Sequence, residues 1–473
     1  MSILLICPPQ ETVYGQPAFP RLGLAYLSGA LYEQGIDHDI IDLGLHLNDW
    51  REVLAARSKN HTVFGITSTT FEFKAARQVA GYIKKRAPEA KIILGGPHST
   101  LTGKEILTHQ KEFDYILRGE GERVLPDFVR LVENGSSCDI QSLLGVFCRN
   151  APVSNGNKLT WIKDINAIPL PRYDKFEMEK YAEAPKAMQV LTSRGCPFGC
   201  IYCSVNLIMG RKFRSRSPDD IIFELEHLIA KYGTSSFSFN DDNLTFDINR
   251  AKTICKLIID RGLNICWNAS NGIRVDYLDE ELVSLMKNSG CNEVAIGIES
   301  TNNEILQKLK KGTKLEKIEN AISLINRYEI PLKGFFLIGS PGETRKDVFA
   351  SLDFAKKHLK NARFSMLTPY PGTALWQWVS ENKYWTEEKP IEEIINYTHI
   401  GGGKTCYETP SFSKTEKETT YHEIYRQWEK FSQSHNFNDK MKYYLRAYPR
   451  LYKFSKWSYE SLRKTVKLFE FLV

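Results

Sequence analysis

Residues Ser193-Arg194-Gly195-Cys196-Pro197-Phe198-Gly199-Cys200-Ile201-Tyr202-Cys203 carry three thiols at Cys-x-x-x-Cys-x-x-Cys spacing. On a loop bent by glycine and proline, three thiolates so spaced can wrap three corners of a cuboidal 4Fe–4S cluster. A fourth cysteine would make a closed electron-transfer centre. Three leave one iron with open coordination, where a chelating substrate can bind. A structural zinc knuckle wants four ligands, usually as two paired arms. No second arm lies near, since the next cysteine is Cys255, inside a predicted helix. A redox dithiol would not need the third thiol. Cys7, Cys148, Cys255, Cys266 and Cys291 sit singly in apolar or mixed segments and read as small buried hydrophobes. Cys406 has no neighbouring cysteines and argues against a second cluster.

Further chemistry-bearing residues follow at regular intervals. Asp241 and Asp242, in Phe239-Asn240-Asp241-Asp242-Asn243, are carboxylates that repel each other unless something cationic satisfies them. The alternative for this pair is a solvated turn or helix cap. Arg274 and Asp276 come next, then Gly297-Ile298-Glu299-Ser300, where Glu299 follows an apolar strand and needs a partner, either a ligand or a structural ion pair. Gly339-Ser340-Pro341-Gly342-Glu343-Thr344 and Pro369-Tyr370-Pro371-Gly372-Thr373 complete the series.

The elements that must position these groups fall into two alternating sets. In the first, apolar strands such as SILLICPP, DHDIIDL, HTVFGITSTT and KIILGG alternate with helical stretches, which predicts a parallel sheet covered on both faces. Ligands bind such sheets at the carboxyl ends of the strands. The unusual residues lie there: Pro8-Pro9, Ser68-Thr69-Thr70, Gly95-Gly96-Pro97-His98 and Gly119-Glu120-Gly121-Glu122. Each loop alone reads equally as a tight turn; four together favour a ligand site. A linker rich in Pro, Asn and Gly precedes the second set, whose strands AMQVLTS, SSFSFND, NICWNAS, NEVAIGIE, LKGFFLIG and ARFSMLT predict a full or partial parallel barrel with its active site at the strand C-termini. The triad follows the first of these strands.

The cysteine loop, with Tyr202 just before its third thiol, and the ordered series after it resemble the radical SAM superfamily. With the N-terminal domain, the order resembles its cobalamin-binding branch, which includes class B methyltransferases and a few cyclases. The resemblance covers about the first four-fifths of the chain. It implies an α/β fold: a doubly wound, Rossmann-like cobalamin-binding domain (1–140), a linker (141–183), a partial (β/α)6 radical SAM barrel (184–385) and a helical, basic C-terminal region (386–473). It implies that Cys196, Cys200 and Cys203 hold the 4Fe–4S cluster. Tyr202, Asp241, Asp242, Arg274, Glu299, Gly339, Pro341 and Gly342 would contact S-adenosylmethionine. Pro9, Ser68, Thr69, Gly95, Gly96, Pro97, His98, Gly119, Glu120, Gly121 and Glu122 would contact cobalamin. The Asp-x-His-x-x-Gly loop of many free-standing cobalamin domains is absent, because Asp37-His38-Asp39 has neither the spacing nor the glycine. His98 is the nearest imidazole, expected as a loop contact to the corrin or a satisfied turn histidine rather than a cobalt ligand.

The implied chemistry is reductive cleavage of S-adenosylmethionine to a 5′-deoxyadenosyl radical, hydrogen abstraction from an unactivated carbon and methyl transfer from methylcobalamin. Ring closure, oxidation or rearrangement without methyl transfer is the alternative. A non-enzymatic iron–sulfur or cobalamin-binding module is a second. The expected partners are a small-molecule or lipid-like substrate and a reductant such as flavodoxin or ferredoxin.

Composition frames this reading. A chain of 473 residues exceeds one ordinary core, and 42% hydrophobic with 25% charged residues suits a globular protein. No apolar run approaches the roughly 18 residues of a membrane-spanning helix. The start, MSILLICPPQ, lacks a positively charged signal region, so the reducing cytoplasm is expected. From Lys440 onward nine Lys/Arg stand against Glu460 and Glu470, which accounts for the whole formal charge of +7. This aromatic-rich tail is either a helical cap with solvated charges or a peripheral contact with the inner membrane face. Nucleic acid is not expected, because no recognition motif accompanies the charge.

Overall fold

The computed structural model describes residues 2–9, 17–149, 159, 161–396 and 403–447, the side chains of 137, 138 and 434–447 excluded. The first six strands are β1 (Ile3–Cys7), β2 (His38–Asp42), β3 (Val63–Thr67), β4 (Lys91–Gly95), β5 (Tyr115–Leu117) and β6 (Val146–Cys148). They form one sheet in the order β2-β1-β3-β4-β5-β6, parallel except for β6. All five residues of β1 are buried, and their alternation explains why the strand reads as a continuous apolar run. Ile3, Leu5 and Cys7 enter one core, while Leu4 and Ile6 enter another on the opposite face. The strand order reverses between β1 and β3, which leaves a crevice at their carboxyl ends.

The second sheet contains β7 (Ala187–Val190), β10 (Ser236–Phe239), β11 (Cys266–Ile273), β12 (Cys291–Glu299), β13 (Leu332–Ile338) and β14 (Asn361–Met366). All its pairings are parallel and in sequence order, β14-β13-β12-β11-β10-β7, and among the described residues no ladder joins β14 to β7. It is an open, partial barrel of six strands, as the alternation predicts. Between β7 and β10 lies a feature the sequence pattern did not suggest: a two-stranded ribbon of β8 (Ser193–Arg194) and β9 (Arg214–Ser215).

The helices follow local rules. In Ser217-Pro218-Asp219-Asp220, the Ser217 hydroxyl accepts the Asp220 amide at 3.1 Å, Pro218 opens the helix Pro218–Tyr232, and Gly233 ends it in the left-handed region. Its buried face is Ile221, Ile222, Leu225 and Leu228, with Glu224 paired to Arg216.

One helix, Lys414–Ala447, runs through the described part of the C-terminal region, with no proline or glycine from Ser434 to Asp439 to break it. It packs on β14 and on the helix Arg345–His358. No helix among the described residues is long and apolar enough to cross a membrane. Most of the basic tail, from 448 onward, lies outside the described residues, as do the side chains of Lys440, Lys442 and Arg446.

Candidate active site

The cysteine loop is anchored before its first thiol. Asp241, at the end of β10, accepts from the Thr192 amide at 3.2 Å, the Thr192 hydroxyl at 2.7 Å and the Ser193 hydroxyl. Its carboxyl is therefore taken up by the protein's own donors, and burial raises its pKa. Gly195 has φ +82°, and a Cβ there would stand 2.5 Å from the Lys212 carbonyl and 2.9 Å from that of Gly210, so only glycine fits. The three thiols are partly exposed. Burial pushes the Cys203 thiol up to about 12, with the neighbouring Cys200 and Cys196 adding to the effect, and burial also raises Cys196. Thiolates here need a positive charge beside them to form, which a bound metal group would supply. Among the described residues no three His, Cys, Asp or Glu side chains converge tightly enough for a single ion.

Behind the loop, a register shift in β12 between Gly297 and Glu299 re-aims the last side chain. Glu299 adopts φ +65° and is buried. The Tyr202 hydroxyl donates to Glu299 Oε1 at 3.0 Å, and Lys311 Nζ meets the same oxygen at 2.7 Å. Burial, then the Glu299 charge, raises the Tyr202 pKa. Arg274 donates to Asp276 Oδ2 from Nη2 at 2.6 Å and to the Lys311 carbonyl at 2.7 Å, and its guanidinium lies 3.6 Å from the Phe198 ring centre. Its partners are thus protein groups that brace the cysteine loop. Asp242 is the freer carboxylate of its pair. Burial, and then the Asp241 charge, lift it to about 6, so a cation beside it would be favoured.

The Gly339–Gly342 turn follows β13. The Gly339 and Ser340 amides donate to Glu343 Oε2 at 2.5 and 3.1 Å, while Glu343 Oε1 and the Ser340 hydroxyl are buried without a partner. Burial lifts the Glu343 carboxyl to about 8. The post-barrel segment closes over this turn. The Tyr407 hydroxyl donates to the Gly339 carbonyl at 2.5 Å, and Lys417 Nζ donates to the Tyr407 carbonyl at 3.2 Å. Burial pulls the Lys417 ammonium down to about 7. Neither Tyr407 nor Lys417 stood out in the sequence.

A cavity of about 400 Å³ opens between the carboxyl ends of the two sheets. Thr69, Gly95, Gly96, Pro97 and Gly119–Glu122 line it from the first sheet, with an apolar floor that includes Leu5, Ile66 and Ile93. Leu191, Arg194, Ile208, Met209, Asn240 and Asn271 line it from the barrel side. The side-chain-free glycine rim and apolar floor suit a broad, flat macrocycle. Pro9, Ser68 and His98 are not on this wall. His98 is buried with Nδ1 3.2 Å from the Thr70 hydroxyl and Nε2 3.4 Å from that of Thr102, its ring 4.3 Å from Phe73, and burial lowers its pKa to about 3. It is a satisfied interior histidine, and no histidine lines the cavity among the described residues. Glu120 and Glu122 touch the cavity, but their carboxylates meet Arg194 and Arg214 of the barrel ribbon. Lys311, Arg194, Arg214, Asn240 and Asn271 were assigned no role from sequence.

Comparison with known proteins agrees with this geometry. The profile of the Radical SAM superfamily matches residues 190–355, and that of the B12 binding domain matches 16–129. The uncharacterized methyltransferase PH0819 of Pyrococcus horikoshii is 34% identical over 85% of this chain and 89% of its own length. Cytidylyl-2-hydroxyethylphosphonate methyltransferase of Streptomyces wedmorensis is 27% identical over 79% of this chain and 80% of its own. The anaerobic magnesium-protoporphyrin IX monomethyl ester cyclase of Rubrivivax gelatinosus is 27% identical over 80% of this chain and 70% of its own. Among solved structures, the methyltransferase TsrM of Kitasatospora setae with cobalamin and a [4Fe-4S] cluster shares the fold at TM-score 0.68 and 21% identity, covering 80% of this chain and 78% of that one. The chain belongs to the cobalamin-dependent radical SAM methyltransferases, and its cofactors are a 4Fe–4S cluster, S-adenosylmethionine and cobalamin.

Proposed function

We propose that this chain methylates an unactivated carbon of a small molecule held where the barrel mouth meets the cavity. The observation that supports this reading most is the shared wall, on which cobalamin-type loops face Asn240 and Asn271 while the cysteine loop begins at the same edge with Arg194. When bound, the cluster supplies an electron, S-adenosylmethionine the hydrogen-abstracting fragment and the methyl group, and cobalamin the methyl carrier.

Each residue's share follows from its surroundings. Cys196, Cys200 and Cys203 would hold the cluster, and the lack of a fourth cysteine would leave room for S-adenosylmethionine to bind it. Asp242 attracts the ammonium of S-adenosylmethionine. The Tyr202–Glu299–Lys311 group lies alongside and presents a fixed charge pair to its polar end. The Gly339, Pro341 and Gly342 backbone receives the adenosine, stiffened from below by Glu343 and Tyr407. Thr69 and the glycines of 95–96 and 119–121 admit the corrin on a platform that runs past 140 to β6 (Val146–Cys148), and the second platform begins near 184. Asp241 and Arg274 act by positioning the cysteine loop.

A flavodoxin- or ferredoxin-type protein is the proposed reductant. The basic tail from Lys440 is either a helical cap with solvated charges or a contact with an anionic membrane surface, and liposome co-sedimentation of a truncation at 439 separates the two: unchanged binding would remove the membrane reading. The reaction type is tested by products. Methyl transfer requires S-adenosylhomocysteine to accumulate beside 5′-deoxyadenosine in equal amounts. Turnover of substrate with 5′-deoxyadenosine alone would favour the cyclase-type reaction instead.

A further inference from the structure

The ribbon β8–β9 is two residues long on each strand, pairing Ser193 with Ser215 and Arg194 with Arg214. A ladder this short does not hold itself in place. Its two arginines are held instead by the other domain. Arg194 Nη2 lies 2.6 Å from Glu122 Oε1, and Arg194 Nη1 lies 3.3 Å from Glu120 Oε1. Arg214 lies 2.8 Å from each Glu120 oxygen, and its remaining donors reach the carbonyls of Ile162 and Met209, both at 2.7 Å. Every side chain of the quartet is at most 8% exposed. Although burial pushes upward, the Arg194 guanidinium holds the Glu122 carboxyl below the usual range.

Buried ion pairs contribute little net stability, since desolvation offsets the attraction, and they are better suited to fixing geometry. This quartet joins the two points that must keep register. Glu120 and Glu122 sit on the cavity rim, and Arg194 is two residues from Cys196. We infer that Glu120 and Glu122 are positioning residues, which clamp the cysteine loop to the cobalamin domain and thereby set the separation of cluster and cobalt. The inference rests on the cysteine and cavity assignments proposed above. It departs from the sequence expectation that these carboxylates touch the corrin.

The test compares wild-type holoenzyme with Glu122→Gln and Glu120→Gln, both near-isosteric, using Arg194→Lys as the conservative rescue. The first readout is pulsed-EPR coupling between cob(II)alamin and the reduced cluster, taken with iron and cobalamin content. The second is the ratio of 5′-deoxyadenosine to S-adenosylhomocysteine formed. The expected result is full loading of both cofactors with a broadened spin–spin distance distribution. Displacement by about 1 Å should cut methyl transfer by roughly tenfold or more while S-adenosylmethionine cleavage changes far less, so the ratio rises. Arg194→Lys should lie between wild type and the glutamine variants. Loss of cobalamin with unchanged coupling in the loaded fraction would overturn the inference and return the carboxylates to corrin contact. Equal loss of cleavage and transfer at unchanged coupling would also overturn it, as a stability effect. A wild-type protein that takes up no cobalamin would defeat the underlying assignment as well, which separates the two failures.

Discussion

The hydroxyl of Tyr202, which lies between Cys200 and Cys203 in the chain, donates to Glu299 Oε1 at 3.0 Å across 97 residues of sequence. Glu299 reaches that position only by bending into φ +65°, a conformation that costs a non-glycine residue about 1 kcal/mol or more. Lys311 shares the same oxygen. Tyr202→Phe is expected to weaken S-adenosylmethionine binding by about 1–2 kcal/mol with the cluster retained. Glu299→Gln strands a buried lysine and should cost about 3 kcal/mol of stability as well. Isothermal titration and thermal unfolding of the two variants check this pair; equal effects from both would contradict it.

The two adjacent aspartates should separate cleanly. Asp241→Ala removes the acceptor of Thr192 and Ser193, so cluster incorporation should fall. Asp242→Asn should keep the cluster and weaken S-adenosylmethionine binding. Iron content measured beside ligand affinity distinguishes the roles, and reversed phenotypes would exchange them.

Glu343 is held largely protonated at neutral pH by burial, with a pKa of about 8. Glu343→Gln, which keeps an oxygen for the Gly339 and Ser340 amides, should leave S-adenosylmethionine affinity within about threefold. Glu343→Leu orphans both amides and should weaken it by about tenfold or more. Tyr407→Phe, which frees the Gly339 carbonyl, should resemble the leucine variant more mildly. Affinity measured at pH 7 for the three proteins decides.

His98 makes an acid-stability prediction. Its pKa is about 3 when folded, against about 6.5 when unfolded, so the unfolded chain takes up the proton first as pH falls. Its contribution is complete above pH 6.5 and is lost progressively toward pH 3, at up to about 1.4 kcal/mol per pH unit. His98→Gln should flatten the acid limb of a stability–pH curve. It should also leave the EPR spectrum of bound cob(II)alamin unchanged, because His98 is off the cavity wall; loss of nitrogen hyperfine structure in the variant would mean that His98 does ligate cobalt.

Much of this architecture was legible because it is local. The cysteine spacing, the six alternating apolar strands and the glycine-rich strand ends each occupy a few consecutive residues. Side-chain direction was harder to read. Gly95-Gly96-Pro97-His98 looks like a ligand loop, yet Pro97 opens the helix Pro97–His109, and its first turn rotates His98 inward against Phe73. Asp241 and Asp242 are indistinguishable in sequence, and the approach of Thr192 and Ser193 divides them. Long-range pairings left no trace. Glu120 and Arg214 are 94 residues apart, and Tyr407 and Gly339 are 68. The clamp and the C-terminal cover therefore emerge only when the sheets are assembled.

The most direct test of the account is anaerobic reconstitution with iron, sulfide and cobalamin, followed by reduction in the presence of S-adenosylmethionine. The expected result is one 4Fe–4S cluster and one cobalamin per chain, with formation of 5′-deoxyadenosine that Cys203→Ala abolishes. Loaded, reduced protein that forms no 5′-deoxyadenosine with any reductant or candidate substrate would contradict it.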